Sequence, residues 1–406
     1  MTNNILKKSL TLLITLCSIF GMQEIHAATH WVGTWATAPQ LVEVKNMPPA
    51  PGLSGNSLRQ IVRVSVGGDK IRLRFTNEFS QGSVTMKSVQ IAVSTGGNTI
   101  DVATNKELQF SGKSEVTLSP GSAIISDPIS FKLKPRMDVA VTIYFDQTSP
   151  TVSGHPGSRT TSFLLGGNST KVTDFVGAIE TDHWDVLTGI DVLAPVKTGS
   201  IAIIGNSITD GRGSDTNKQN RWPDILSERL LKNSTTKNIG VLNLGIGGNC
   251  VVHGGLGPTA LSRFDRDIVA QQGIRWVIVF IGVNDIGGTP NTQEAIDRTY
   301  EKLIDAYKQF IEKSHAKGLK VYGGTIMPFK GNGYYSEFKD TCRNKVNEWI
   351  RTKGNFDACI DFDKCMQDPK DQASMPADLD YQNDFLHPNA DGHRKMGNFV
   401  DLKLFE

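Results

Sequence analysis

A serine follows directly on an apolar run in the stretch Ile201–Gly211, IAIIGNSITDG. The four residues Ile201–Ile204 indicate a buried strand, and the Gly-Asn-Ser that follows indicates a turn. A serine hydroxyl becomes a good nucleophile only when a neighbouring base takes its proton. Ser207 is therefore a candidate nucleophile if an imidazole, an acid that orients it and donors for an oxyanion lie close by. The plainer interpretation is that Ser207 caps a helix.

Candidates for each of these partners occur further along the chain. His387 lies in the segment DFLHP, and Asp384, three residues earlier, can reach its Nδ1 if the segment forms a turn. Gly248 lies in LGIGGN, where a residue without a side chain lets the backbone approach a substrate closely. Asn284 lies in IGVND and offers a neutral side-chain amide as a donor. Together these residue types could carry out acyl transfer.

Each of these assignments has an alternative. Gly248 could serve only its turn, and Asn284 could form a structural turn while Asp285 does the chemistry. His393, at the start of a terminal helix, is the main rival as the base, although we expect it at the surface. His253 follows the Gly248 loop and could line a pocket, but an ordinary loop position is the simpler expectation.

The elements that must position these residues come from residue 196 onward, where strand patterns alternate with helical patterns. The apolar runs are Ile201–Ile204, Val241–Leu244, Trp276–Ile281, Val321–Ile326 and Ala358–Phe362. The clearest helix has an apolar face formed by Ile296, Tyr300, Leu303, Ile304, Tyr307, Phe310 and Ile311, and Gly318 can end it. Such alternation predicts a parallel α/β sheet, which binds ligands at the carboxyl ends of its strands. Another helix is expected over Arg221–Leu231, with Trp222 packed in the core.

Residues 30–195 instead alternate between apolar and polar positions. Val62, Val64 and Val66 precede Gly67-Gly-Asp69, and Ile71, Leu73 and Phe75 follow it, which predicts a β-hairpin. The alternation returns at Val139, Val141, Ile143 and Phe145, and no long helical pattern is present. This half is predicted to be a β-sandwich. Trp31 and Trp35 could stack on a sugar ring, but we expect them to anchor the first strand against the second domain.

Length and composition limit the class of protein. A chain of 406 residues is too long for one ordinary core, and its 38% hydrophobic and 21% charged residues are typical of a soluble globular protein. Lys and Arg number 43 against 41 Asp and Glu, so nothing favours a nucleic-acid partner. We expect a β-sandwich-like domain over residues 28–195 and a catalytic domain over residues 196–406.

The N-terminal residues 1–27 are predicted to be a signal peptide. Two lysines precede the apolar run Leu10–Phe20, which is too short to span a bilayer, and Ala27 is suited to cleavage. The protein is therefore expected in the periplasm, at the cell surface or outside the cell, without stable membrane insertion. Cys17 permits a lipoprotein alternative, which the bulky Leu16 before it disfavours.

The remaining cysteines are Cys250, Cys342, Cys359 and Cys365, an even number that permits disulfides in an exported chain. Cys359 and Cys365 are close enough in sequence to pair, but spacing does not determine the pairing. The sequence has neither C-x-x-C nor H-E-x-x-H, so we expect no metal and no cofactor.

The blocks GNS, GIGGN, GVND and DFLH, in this order, resemble those of the SGNH, or GDSL-like, hydrolases. The stretches Trp31–Pro39, WVGTWATAP, and Gly257–Asp267, GPTALSRFDRD, are similar to one bacterial branch that places a β-rich region before its catalytic domain. The resemblance covers nearly the whole mature chain and is most specific over residues 201–392. It implies a flavodoxin-like three-layer fold with a five-stranded parallel sheet.

The resemblance also implies roles for individual residues. Ser207 would be the nucleophile, His387 the base and Asp384 the group that orients the imidazole. The oxyanion would be held by the N–H groups of Ser207 and Gly248 and by the Asn284 amide. The family usually has aspartate where this chain has Asn206, which keeps an acceptor oxygen.

The expected function is that of an exported serine esterase acting on small acyl esters, above all O-acetyl groups on carbohydrate. A lipase or lysophospholipase activity is the enzymatic alternative, because nothing in the sequence determines the pocket size. A glycan-binding protein that has lost activity is the other alternative, and Asn206 is its only support in the sequence. The oligomeric state is not determined by the sequence.

Overall fold

A computed structural model describes residues 28–406, so the predicted signal peptide and Cys17 lie outside the described residues. Residues 29–195 form antiparallel strands. These are β1 Thr29–Ala36, β2 Gln40–Leu41, β3 Asn56–Arg63, β4 Gly68–Thr76, β5 Val84–Gly96, β6 Thr99–Glu107, β7 Val116–Leu118, β8 Ala123–Ile125, β9 Ile129–Leu133, β10 Asp138–Phe145, β11 Ser153–His155, β12 Ser162–Gly166, β13 Ile179–Thr181, β14 Trp184–Asp185 and β15 Leu187–Pro195. In this half the only helical segment is a 3₁₀ turn at Val44–Asn46.

The antiparallel strands form a β-rich sandwich. One sheet has the order β1-β15-β4-β8, with β9 beside β4, and the other has the order β13-β12-β3-β10-β5-β6, with β7 beside β5. The strands β14-β11-β2 form a third, small sheet. The predicted strand at Val139–Phe145 is β10, and its alternate residues are fully buried in the core between the sheets. The β-sandwich prediction is confirmed.

The predicted hairpin is wrong in its pairing. Both of its strands exist, but β3 pairs with β10 and β12, whereas β4 pairs with β15, β8 and β9. The chain therefore crosses from one sheet to the other between Arg63 and Gly68. Alternating hydrophobicity indicates which face of a strand is buried, but it does not identify the strand's neighbour.

The second half contains a parallel five-stranded sheet. Its strands are β16 Gly199–Gly205, β17 Ile239–Gly245, β18 Ile274–Phe280, β19 Lys320–Gly324 and β20 Ala358–Ile360. Their order is β17-β16-β18-β19-β20, which is the flavodoxin-like order. All seven residues of β16 are buried, as expected of a strand covered on both faces. Each of the five apolar runs in the sequence corresponds to one of these strands.

Helices cover both faces of the parallel sheet. They are α1 Ser207–Asp210, α2 Trp222–Lys232, α3 Ala260–Phe264, α4 Val283–Gly287, α5 Gln293–His315, α6 Glu337–Arg351, α7 Phe362–Met366 and α8 Ala390–Phe399. A π-helical turn at Asp265–Val269 continues α3, and 3₁₀ turns lie at Ala377–Leu379 and Leu402–Phe405. No helix within residues 28–406 has both the length and the apolarity needed to cross a bilayer.

The two halves meet along β1, which packs against β17. The Gly33 N–H donates to the Gln272 carbonyl, and the Ser200 hydroxyl donates to the Gly33 carbonyl. Trp35 is buried, with its ring perpendicular to that of Trp184 at 5.0 Å between centroids, so it is not free to stack on a sugar. The connection between β15 and β16 contains the predicted domain boundary.

The core on one side of the parallel sheet depends on the predicted long helix. Phe310 of α5 is fully buried and stacks on Phe264, with 4.6 Å between ring centroids. Its removal should leave a cavity that the surrounding helices and strands cannot close.

We predict that Phe310→Ala lowers the free energy of unfolding by about 3–5 kcal/mol. Phe399→Ala is the matched control, because Phe399 is 46% exposed at the end of α8 and should change stability by less than about 1 kcal/mol. Urea denaturation followed by fluorescence measures both. Equal losses in the two variants would contradict the core position of Phe310.

Candidate active site

The structure brings Ser207, His387 and Asp384 into one line of contacts. The Ser207 Oγ lies 2.8 Å from His387 Nε2, across 180 residues of sequence. On the other side of the ring, His387 Nδ1 lies 2.6 Å from Asp384 Oδ2. Ser207 and His387 are both more than 90% buried. The order hydroxyl, imidazole, carboxylate is the arrangement that can activate a serine.

A strained turn carries Asp384 and His387. Gln382, Asn383 and Phe385 all have φ near +58°, a conformation that few residues with side chains adopt. Within this turn, Asp384 Oδ1 accepts hydrogen bonds from the Leu386 and His387 backbone N–H groups at 2.9 and 2.8 Å. One carboxylate oxygen therefore holds the backbone while the other holds the imidazole.

The hydrogen bonds to Asp384 determine the tautomer of His387. Burial raises the pKa of Asp384, but the hydrogen bonds from the His387 ring and from the backbone outweigh burial and hold the pKa below its ordinary value. Asp384 is thus ionised at neutral pH and can only accept, so His387 Nδ1 carries the proton. The Nε2 lone pair then faces Ser207, which donates its hydroxyl hydrogen to it.

Ser207 begins the single helical turn α1, two residues after the last residue of β16. Asn206 caps this turn, because its Oδ1 accepts the Ile208 N–H at 3.1 Å. The acceptor oxygen retained by asparagine is therefore in use. The Ser207 N–H has no acceptor among residues 28–406.

Gly248 and Asn284 follow the two strands that flank the Ser207 strand. In the order β17-β16-β18, the loop after β17 carries Gly248 and the turn α4 after β18 carries Asn284. Adjacent strands lie about 4.8 Å apart, so these loops border Ser207 on either side. Gly248 has φ +69°, a conformation that favours glycine. In the described part of the chain, its N–H has no acceptor.

Asn284 and Asp285, which are neighbours in the block GVND, have different partners. Asn284 Nδ2 donates to the Asn249 carbonyl at 2.9 Å, which leaves its second hydrogen for another acceptor, and the Tyr334 hydroxyl lies 3.3 Å from its Oδ1. Asp285 accepts the Val251 and Val252 N–H groups at 2.9–3.1 Å. Asp285 therefore holds the loop that follows Gly248. Burial raises the pKa of Asp285 to about 6, although these backbone N–H groups act in the opposite direction.

A buried arginine joins the strand ends beneath the site. Arg263 is 1% exposed and donates to the carbonyls of Gly205 at 3.1 Å and Leu244 at 2.7 Å. It also donates to Asn249 Oδ1 at 3.1 Å and to Asp267 at 2.9 Å. Arg263 lies in the GPTALSRFDRD stretch, but the sequence alone assigned it no role. The pattern Arg-x-x-x-Asp at helical spacing was the available signal.

A cleft of about 520 Å³ opens next to Gly248 and Asn284. Its wall also includes Asp285, His253 and Tyr334, together with Thr289, Arg298 and Lys302. This volume falls in the range of small-molecule sites, roughly 300–1,000 Å³. His253 thus faces the cleft, which was the less favoured of its two predicted placements. Within residues 28–406, no group of three or more His, Cys, Asp or Glu side chains could hold a metal ion.

The predicted surface position of His393 is wrong. This histidine is fully buried, with Nε2 3.0 Å from the Arg212 carbonyl and Nδ1 accepting the Trp222 N–H at 3.3 Å. Burial lowers its pKa to about 4. His393 makes no contact with Ser207 and so does not compete with His387. Trp222 is fully buried, as predicted.

The four cysteines permit disulfides in principle, but in the described chain all four are free thiols. Burial raises the pKa of Cys250 and Cys342 to about 12, and that of Cys359 and Cys365 to about 11. These thiols are therefore protonated at neutral pH.

The fold and the line of contacts define a serine hydrolase built on a parallel α/β sheet. Residues 203–395 match the sequence model of the GDSL-like Lipase/Acylhydrolase family. The catalytic half of the chain is a domain of this family, and the protein is a carboxylic ester hydrolase. A search of curated proteins gave no match.

Solved structures similar to this chain belong to bacterial lipolytic enzymes and esterases. A putative lipolytic protein of the G-D-S-L family from Desulfitobacterium hafniense is 21% identical, with 50% of this chain and 97% of that chain covered and a TM-score of 0.38. An acetylxylan esterase from Geobacillus stearothermophilus is 21% identical, with coverages of 50% and 94% and a TM-score of 0.37. A lipase/acylhydrolase from Enterococcus faecalis is 17% identical, with coverages of 50% and 93% and a TM-score of 0.39.

The buried His393 predicts an acid-sensitive contribution to stability. Because its pKa falls from 6.5 in the unfolded chain to about 4 in the folded one, the folded state binds fewer protons between these values. The contribution is therefore complete above pH 6.5 and is lost as the pH falls through about 4. We expect the stability advantage of the wild type over His393→Gln to shrink by roughly 3 kcal/mol between pH 7 and pH 4.

Urea titrations at several pH values measure this difference. His253→Gln is the control, because His253 is exposed and its replacement should leave the pH dependence unchanged. A constant difference between wild type and His393→Gln across this range would contradict the buried, neutral imidazole.

Proposed function

We propose that this protein is an exported serine esterase that removes small acyl groups, most specifically O-acetyl groups, from carbohydrate. The observation that carries the proposal is the line from Ser207 Oγ through His387 to Asp384. Export follows from the signal peptide expected in residues 1–27, with the periplasm, cell surface or medium as the destination.

The proposed reaction begins with attack of Ser207 on the ester carbonyl carbon. His387 Nε2 takes the hydroxyl proton as the new C–O bond forms, and Asp384 stabilises the imidazolium. The tetrahedral intermediate then breaks the bond to the alcohol, which leaves with the proton from Nε2. Water resolves the acyl-enzyme by the same steps, with His387 again taking a proton, and releases the carboxylic acid. No step requires a cofactor.

The oxyanion is proposed to accept three hydrogen bonds. The Ser207 and Gly248 N–H groups have no acceptor among the described residues, and Asn284 has one amide hydrogen left after its bond to Asn249. Donors that are held in place before the reaction need no reorganisation as the charge develops. Asp285 and Arg263 support this arrangement from behind, because they hold the loop that carries Gly248.

The cleft favours a polar alcohol over a long acyl chain. Polar side chains such as Thr289, Tyr334 and Lys302 line it, together with apolar ones such as Val252 and Leu303. An alkyl chain placed there would leave the polar groups without hydrogen bonds from water, which costs free energy. A sugar would instead replace those hydrogen bonds.

We predict that Ser207→Ala lowers kcat for p-nitrophenyl acetate by about 10⁴–10⁶-fold, because within residues 28–406 no other hydroxyl contacts His387. Ser262→Ala is the matched control, since this exposed serine bonds only within its own turn around Thr259. Initial rates at saturating substrate measure the effect. A wild-type protein without esterase activity would favour the glycan-binding alternative instead.

The acyl preference provides a separate prediction. We expect kcat/KM for the acetyl ester to exceed that for the octanoyl ester by roughly tenfold or more, because an octanoyl chain in the cleft would cover polar side chains such as Thr289, Arg298 and Lys302. A panel of acetylated glycans, scored for released acetate, then identifies the alcohol. A preference for octanoyl esters would indicate lipolysis.

A further inference from the structure

The carboxylate of Asp210 makes contacts that the proposed reaction does not use. Asp210 ends the turn α1 that Ser207 begins, and it is only 2% exposed. Its Oδ1 lies 2.9 Å from Nε2 of His155, a residue of the antiparallel half. Its Oδ2 has no hydrogen-bond partner within residues 28–406, and Arg159 lies 3.7 Å away. A buried carboxylate with so few partners depends strongly on each of them.

His155 is held on three sides. Its Nδ1 lies 2.9 Å from the Ala38 carbonyl, and its ring stacks on Trp184 at 5.9 Å between centroids. A carbonyl oxygen can only accept, so the Nδ1 carries a hydrogen. The contact between Nε2 and Asp210 therefore needs one proton more than a neutral imidazole and an ionised carboxylate have between them. A shared proton of this kind makes a charge-assisted, directional hydrogen bond.

The turn α1 is too short to hold its own orientation. Four residues form one helical turn, and a helix of that length is not stable without contacts from outside. The Asp210 N–H donates to the Asn206 carbonyl, so a shift of Asp210 is passed directly to the backbone on either side of Ser207. The bond to His155, together with the nearby Arg159, joins α1 to the antiparallel half.

The backbone around Asp210 shows how closely the two halves fit. A Cβ atom on Gly157 would lie 2.0 Å from Asp210 Oδ2, so only glycine fits there without moving the carboxylate. Gly157 does not have a positive φ, so an alanine could adopt its backbone conformation. Replacement of this residue would displace Asp210 without touching His155 or Ser207.

We propose that His155 is a positioning residue for the reaction, and that the antiparallel half holds the nucleophile turn in place through its hydrogen bond to Asp210. This inference rests on the proposed role of Ser207. It gives the β-rich half an indirect part in catalysis, through Asp210, that does not require binding of a glycan.

Two substitutions of His155 test the hydrogen bonds of its two ring nitrogens separately. In His155→Asn the amide nitrogen can take the place of Nδ1 and keep the bond to Ala38, but it cannot reach Asp210. In His155→Gln the amide nitrogen can take the place of Nε2 and keep the bond to Asp210. We expect His155→Asn to lower kcat for p-nitrophenyl acetate by roughly 10- to 100-fold, with KM changed less than about threefold. His155→Gln should restore kcat to within about threefold of the wild type.

A second variant tests the same contact by displacing Asp210 instead of replacing His155. Gly157→Ala should lower kcat in the same way, again at nearly constant KM, because its methyl group displaces the carboxylate. Gly166→Ala is its matched control, since the added Cβ would meet only Asn56, at 3.9 Å. His30→Asn is the control for His155, because His30 bonds to the Thr198 carbonyl and not to Asp210.

The rate of Ser207 phosphonylation by a fluorophosphonate probe, measured per folded molecule, should fall in parallel with kcat. Equal losses in His155→Asn and His155→Gln would overturn the inference, as would unchanged kcat in folded His155→Asn. Failure of both His155→Asn and Gly157→Ala to fold, while the controls fold, would make the contact a folding requirement and would also overturn it. Unchanged activity in Ser207→Ala would instead refute the proposed function.

Discussion

The site depends on one buried guanidinium. Arg263 lies beneath the carboxyl ends of β16 and β17 and donates to the backbone carbonyls of Gly205 and Leu244. It also holds Asn249, and Asn249 in turn bonds to Asn284. Burial lowers the pKa of Arg263, while Asp267 acts in the opposite direction and keeps it charged. One cation thus joins the ends of β16 and β17 directly and the turn after β18 through Asn249.

The antiparallel half contacts the parallel half at the strand β17 and at the turn that carries Ser207. It contributes the buried β1 strand to the junction with β17, and it places His155 next to the turn that carries Ser207. Trp35 and Trp184 belong to the core of the antiparallel half, and the Trp184 ring faces Arg221 of the other half. A turn of four residues is held in place only by contacts with its surroundings. The antiparallel half adds a contact to Asp210 that the parallel sheet does not make.

Much of the fold could be predicted because periodicity reports burial directly. The five apolar runs became the five parallel strands, and the long amphipathic helix became α5. Which strands pair with each other could not be predicted in the same way, because β3 and β4 follow each other in sequence but belong to different sheets. The burial of His393 was missed for a related reason. A histidine in a polar stretch, next to Arg394, gives no local sign that Trp222 and Arg212 will enclose it.

The sequence by itself determined the residue types of the site and the order of the elements that carry them. Ser207, Gly248 and Asn284 follow apolar runs, and in a parallel sheet every such position lies at the same edge. Only the tertiary structure decided the distances: the 2.8 Å between Ser207 and His387, and the 2.9 Å between His155 and Asp210. These contacts join residues 180 and 55 positions apart. Packing of whole elements sets such distances, and local sequence patterns carry no information about them.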